Sequence, residues 1–131
     1  MNIFGIGTDI VNIKRIEKSI KKYGSKFIHK VFSKNEIIYC KKKKHPISFY
    51  AKRFAAKEAF SKALGTGIRK DVNFKNIEIF NNNYGKPQIR LKGPVDNYLK
   101  KKIKNKKYVI HLSLSDDNPW AQATVIISYN D

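Results

Sequence analysis

The spacing of apolar residues changes along the chain, and each spacing predicts a different element. Ile10, Ile13, Ile16 and Ile20 recur three and four apart, one face of an amphipathic helix that ends near Tyr23-Gly24. Its other face carries Lys14, Arg15, Lys18, Lys21 and Lys22. Ahead of it, residues 2–7 read as a short strand broken by Gly5 and Gly7, with Asp9 opening the helix as an N-terminal acid. Ser33-Lys34-Asn35-Glu36 has the form of a capping box, which starts a short helix through Ile37, Ile38 and Tyr39. That helix runs into Lys41–Lys44 and stops before Pro46. Pro46 suits the first turn of the next helix, which ends at Leu64 with Gly65 as its stop.

Beyond Gly65 the pattern shortens. Asn76–Phe80 and Gln88–Leu91 flank the turn-rich stretch Asn81–Pro87, which predicts a hairpin. Pro94 opens a third amphipathic helix through about Lys104. In Tyr108–Ser115, Ile110, Leu112 and Leu114 alternate with His111, Ser113 and Ser115, as in a strand with one face buried. Trp120–Tyr129 is a mostly apolar run and predicts a buried strand. No repeat or linker divides the chain. The expectation is a single α+β domain over residues 1–131, a small antiparallel sheet packed against helices.

Bulk composition narrows this only a little. The net charge of +18 raises nucleic acid as a partner. Yet 24 of the 28 basic residues are Lys, and Ile (18) and Asn (12) are abundant beside Leu (5), the enrichment an AT-rich coding bias produces at permissive sites. One cysteine, Cys40, excludes an intrachain disulfide and reads as a small core residue. No apolar run approaches the roughly 20 residues of a membrane span. The start of the chain lacks a basic segment and cleavage site, so a cytoplasmic protein is expected.

Candidate chemistry lies in three places. Arg53–Gly67 reads as a buried helix with Glu58 on its apolar side and Lys62 one turn on. Alone, Glu58–Lys62 is the common surface pair worth about 0.3–0.5 kcal/mol. Gly5-Ile6-Gly7-Thr8-Asp9 lacks the third glycine of a dinucleotide fingerprint and the lysine of a Walker loop. His111, Ser113, Ser115, Asp116 and Asp117 form a polar strand end, without the nucleophile elbow a triad would need. Two carboxylates with water and phosphates are the usual Mg²⁺ donor set, so Asp9 and Glu58 among many lysines suggest a Mg²⁺–polyphosphate site.

"GIGTDIV", "RFAAKEAFSKALGTGI", "GKP" and "HLSLSDD" occur in that order over nearly the whole chain. Together they resemble holo-[acyl-carrier-protein] synthase, the short bacterial type of 4′-phosphopantetheinyl transferase. The resemblance implies that fold, and transfer of phosphopantetheine from coenzyme A to a serine of apo acyl carrier protein. Adenosine 3′,5′-bisphosphate is released, and the reaction serves fatty-acid biosynthesis. It implies Mg²⁺ on Asp9 and Glu58, Lys62 near the phosphates, and His111 near the nucleotide end. Arg53, Gly65 and Lys86 are further coenzyme A-side candidates. Asp9, Glu58 and Lys62 become the catalytic set; the base for the carrier serine is one of the two carboxylates or a water they activate. Arg15 and Lys22 match positions that dock the acidic carrier protein. The resemblance also implies a homotrimer with its active site between subunits, the Asp9 cluster on one and the GKP hairpin on the next. Asp116 stands where many relatives carry His, so no role is transferred to it.

Two rivals come from other classes. A nucleic-acid module would need aromatic–basic strand patterns and more arginine than the four present. A Mg²⁺-dependent phosphohydrolase or nuclease would use the same two carboxylates. The transferase reading predicts coenzyme A and acyl carrier protein as partners, without nucleic acid or membrane.

Overall fold

Alternation dominates the C-terminal third. β4 (Tyr108–Asp117) and β5 (Trp120–Tyr129) pair antiparallel, with Leu114 opposite Ala123 and His111 opposite Ile126. The computed structural model describes residues 1–131 and places β1 (Asn2–Asn12) on the other edge of β5, giving the strand order β1-β5-β4. Ala121, Ala123, Val125 and Ile127 point from β5 into the core and are fully buried. The outer face shows Ile6 and Ile10 of β1, with Thr124 and Ile126 of β5 and His111 and Ser113 of β4.

α1 (Ile13–Tyr23), α2 (Ser25–Val31), α3 (Lys34–Lys41) and α4 (Pro46–Leu64) follow β1. A 3₁₀ turn at Phe74–Asn76 leads into the hairpin of β2 (Ile77–Asn81) and β3 (Pro87–Leu91), then α5 (Gly93–Lys102). The α+β class, the hairpin and the main helix ends agree with the sequence pattern. Ser33 caps α3 with both halves of the capping box, and Gly65 closes α4 at φ 90°. Cys40 is buried, and its thiol is raised to about 11 by that burial.

α4 is the centre of the molecule. Twelve of its 19 residues are buried, among them Phe54, Phe60 and four alanines between positions 51 and 59. β1, β5, α1, α3 and β2 all pack against it. A helix covered on most sides shows no single polar face, which is the packing of a core helix. Each fully buried large side chain such as Phe60 contributes roughly 1.5–3 kcal/mol of burial.

Two expectations need correcting. Gly5 and Gly7 do not break the first strand, which runs for 11 residues with an irregularity between Ile3 and Gly5. They admit α4 instead: an added Cβ would lie 1.9 Å from the Ala63 carbonyl oxygen at Gly5 and 2.0 Å from that of Ala59 at Gly7. Nor does Asp9 open a helix. It lies in β1 opposite Ala123, and α1 starts at Ile13 behind Asn12, whose Oδ1 accepts from Lys14 N at 2.9 Å. Ile10, counted on the helical stripe, faces outward from the strand. Pairing with β5 through Asn12 and Trp120 overrides the three-four spacing. Helix α2 was not anticipated, although Phe27, Ile28 and Val31 carry a helical spacing.

The contact at Gly7 is backbone against backbone and has no flexible atom to give way. Gly7→Ala should lower the unfolding free energy by about 3 kcal/mol, read from the urea midpoint.

Candidate active site

Because β1 lies flat on α4, side chains leaving the strand beyond Gly7 meet the C-terminal half of the helix. Asp9 is the acid that arrives there. Lys62 Nζ donates to Asp9 Oδ1 at 3.1 Å and to the Thr8 carbonyl at 3.0 Å. Lys62 is therefore committed across the interface to β1, and the Glu58–Lys62 surface pair is not formed. Glu58, one turn before Lys62, is half-buried. Burial pushes its carboxyl above the ordinary value, and the Asp9 charge pushes it further. Lys62 and Arg15 oppose both effects. Asp9, Glu58, Lys62 and Arg15 thus form one electrostatic cluster beside a shallow cleft of about 410 Å³ lined by Thr8, Asp9, Ile10, Lys62 and Gln122.

Two carboxylates that repel each other at a solvent-reachable edge, with Lys62 and Arg15 beside them, are a hard-oxygen donor set. That composition fits Mg²⁺, which binds one or two carboxylates and keeps places for water and phosphate oxygens. The helix end beside them is orderly: Gly65 N, Thr66 N and Gly67 N all donate to the Ser61 carbonyl at 3.1–3.2 Å.

A second cluster lies elsewhere on the same helix. Arg53 is five residues before Glu58, which is about 7.5 Å along the axis and roughly 140° around it. Its guanidinium is buried, stacks 4.1 Å from the Tyr39 ring centroid and donates from Nη2 to Asn81 Oδ1 at 2.6 Å. Its Nε has no partner. Lys43 lies over Tyr39 and Phe49 at 4.6 and 5.2 Å, and Lys52 over Phe49 at 4.4 Å. Three cations thus gather on two aromatic rings. The adjoining cleft, about 490 Å³, is walled by Asn81, Asn82 and Gly85 of the hairpin turn. Asp116 pairs with Lys52 at 3.3 Å and lowers the positive charge at one rim.

The residues singled out in the sequence thus separate. Asp9, Glu58 and Lys62 come together. Arg53 belongs to the cationic cleft, and Lys86 is exposed on the nearby turn, its N–H donating to Asn82 Oδ1 at 3.0 Å. Gly65 caps α4 beyond Lys62. His111 is on the outer sheet face, hydrogen-bonded to Ser128 Oγ at 3.0 Å, whereas Asp9 lies on the inner face with the buried Val11. Within one chain His111 cannot join the Asp9 cluster. Arg15 and Lys22 are two helical turns apart and share an exposed stripe of α1 with Lys18. Sequence reasoning missed Tyr39, Lys43, Phe49, Lys52 and Asn81, whose only signal was aromatic residues interleaved with lysines.

The profile of the 4′-phosphopantetheinyl transferase superfamily matches residues 5–124. Holo-[acyl-carrier-protein] synthase of Caulobacter vibrioides is 48% identical over 126 residues, covering 95% of each chain. A crystal structure of that synthase from Neisseria meningitidis superposes with a TM-score of 0.87 at 39% identity, over 96% of this chain and 98% of the other. The Helicobacter pylori synthase, in complex with coenzyme A, superposes with a TM-score of 0.80 at 39% identity, over 94% and 99%.

The raised Glu58 carboxyl has a consequence for stability. An acid whose pKa is raised by folding stabilises the fold only while protonated, so wild-type stability falls as pH rises above the unfolded value of 4.5. In protein stripped of divalent cations, Glu58→Gln should melt higher than wild type at pH 7, and the gap should close as the pH falls towards 4.5.

Proposed function

The chain belongs to the 4′-phosphopantetheinyl transferase superfamily, and from that premise we propose that it transfers 4′-phosphopantetheine from coenzyme A to a serine of apo acyl carrier protein. The observation that carries the reading is the meeting of Asp9, Glu58 and Lys62 where β1 crosses α4. The names of its relatives and the coenzyme A complex of the Helicobacter pylori synthase support the choice of substrates. Acyl carrier protein as substrate supports a role in fatty-acid biosynthesis, in the cytoplasm. No helix is long and apolar enough to cross a membrane.

In the reaction the serine Oγ–phosphorus bond forms at the β-phosphorus of coenzyme A. The bond from that phosphorus to the bridging oxygen breaks, and adenosine 3′,5′-bisphosphate leaves. Asp9 and Glu58 would hold Mg²⁺; when bound, it neutralises the pyrophosphate oxygens and polarises the phosphoryl group. Lys62 supplies further positive charge to the phosphates, and to the leaving oxygen as charge develops on it. The serine proton passes to a carboxylate of the Asp9–Glu58 pair, directly or through one water. Arg53, Lys43 and Lys52 suit the phosphate-bearing nucleotide end, with Tyr39 and Phe49 as flat surfaces beside it. Gly65 and Lys86 stand at the edges of the two clusters as further coenzyme A contacts.

Arg15 and Lys22 dock the acidic carrier protein, on an exposed stripe that begins one element away from Asp9. The assembly we propose is a homotrimer. Ile3, Ile6, Ile10, Val109 and Trp120 are all about half exposed or more, and all five lie on the three-stranded sheet. The Asp9 cluster and the cationic cleft face different sides of α4, so one ligand reaches both only when two subunits are apposed. His111 then lies at that apposed face.

Mass spectrometry of apo carrier protein incubated with coenzyme A, Mg²⁺ and this protein should show the phosphopantetheine mass gain. Asp9→Asn and Glu58→Gln should each cut turnover about a hundredfold or more with the fold retained. Near-normal turnover in either removes the metal assignment. Arg15→Glu should raise KM for carrier protein about tenfold and KM for coenzyme A far less; equal losses for both ligands would refute docking at Arg15.

A further inference from the structure

Lys57 immediately precedes Glu58 yet takes no part in the reaction above. Its side chain leaves α4 about 100° around the helix from Glu58. It is completely buried, as is its partner Glu36. Lys57 Nζ donates to Glu36 Oε1 at 2.7 Å and to the Phe74 carbonyl at 2.7 Å. Glu36 Oε1 also accepts from Ser33 N at 2.7 Å, and Oε2 accepts from Ile79 N of β2 at 2.8 Å. Ser33 Oγ continues the chain to Glu78 Oε2 at 2.6 Å. Glu78, itself buried, meets Arg90 and Lys92 at 3.2 Å each. An unbroken line of charge-assisted hydrogen bonds therefore runs from α4 through the start of α3 to the β2–β3 hairpin.

Stability alone is a poor reason for this arrangement. Burying an ammonium and a carboxylate costs several kcal/mol, and apolar residues of the same volume often do as well or better. What apolar residues lack is direction. The hairpin has only two strands and no third hydrogen-bonded to them, although β3 packs beside β4, and such a pair is marginal alone. The Glu36 bond to Ile79 N fixes β2 along its length. Two residues on, Asn81 accepts from buried Arg53 at the wall of the cationic cleft.

We infer that Lys57 is a positioning residue: through Glu36 it sets where the β2–β3 hairpin stands against α4, and so shapes the cleft between Arg53 and the hairpin turn for the nucleotide end of coenzyme A. The identity of that ligand rests on the transferase reading; the placement of the hairpin does not.

The test is the double variant Lys57→Met/Glu36→Gln, which removes both charges together and keeps an oxygen acceptor for Ile79 N. Amide hydrogen exchange should quicken about tenfold in residues 77–91 and stay unchanged in β1 and β5. KM for coenzyme A should rise about tenfold, with kcat and KM for carrier protein within about twofold. Unchanged hairpin exchange, or an unchanged KM for coenzyme A, overturns the inference. A lower melting temperature with both of those unchanged marks packing only and overturns it too. If the double variant does not fold, Glu78→Gln cuts only the outer end of the line: about a threefold rise in KM for coenzyme A supports the inference, and no rise overturns it. If the wild type transfers nothing, the proposed function fails, and hairpin exchange alone decides the role of Lys57.

Discussion

The molecule is organised around a contact in which no side chain takes part. At Gly5 and Gly7 the backbone of β1 rests on the carbonyl oxygens of Ala63 and Ala59, at a separation that leaves no room for a methyl group. Because a strand touches the helix directly, the side chains just beyond the contact are carried into its groove. Asp9 is the side chain so carried. It finds Lys62 within hydrogen-bond distance and Glu58 within electrostatic reach, residues separated from it by about fifty positions in the chain. The geometry of the site is thus a by-product of two missing Cβ atoms.

Charge is distributed according to function as well as composition. The excess of lysine gives a positive surface nearly everywhere, which hastens encounter with any anionic ligand without selecting one. Selection needs charge in fixed positions, and burial supplies it for Arg53 and Lys57, hydrogen bonds to β1 for the exposed Lys62. Arg53 is immobilised by Tyr39 and Asn81, Lys57 by Glu36 and Phe74, Lys62 by Asp9 and Thr8. Arg53 and Lys57, one turn apart, share a face of α4 and Lys62 lies on the opposite side, and each is tied to another element of the fold. The exposed lysines of α1 and α5 are held only within their own helices, by i,i+4 pairs at Lys21 and Lys100 and by cation–π contacts of Lys22 with Tyr23 and Lys102 with Tyr98.

Much of this was legible in the sequence because local rules and tertiary structure agree there. Ser33 and Glu36 announce the start of α3, Gly65 the end of α4, and alternation marks β4. The errors arose where a long-range contact decides. Glycine in a strand reads as a break unless the helix above it is known. Ile10 continues a helical spacing by coincidence, since pairing with β5 holds it in the sheet. Asp9 and Glu58 were legible as a pair because acids are few and both sit in matched motifs. The cationic cleft was not, since Tyr39, Phe49 and Asn81 belong to three elements that only folding brings together. Lys57 was hidden most completely: a lysine beside a glutamate on a helix looks solvated, and nothing local reveals that Glu36 waits for it in the core.

The enclosure of α4 bears on how such a protein changes over time. A helix packed against the sheet, α1, α3 and the hairpin at once is hard to shift, tilt or resize without disturbing all of them. Its sequence combines small residues at close contacts with large buried apolar residues and fixed anchors, and substitutions there are costly. On the proposed function, a new preference for nucleotide or carrier is more easily acquired at the periphery, in the α1 stripe and the hairpin turn, where exposed side chains are exchanged at little cost. The fold separates a helix that tolerates little change from surfaces that tolerate much.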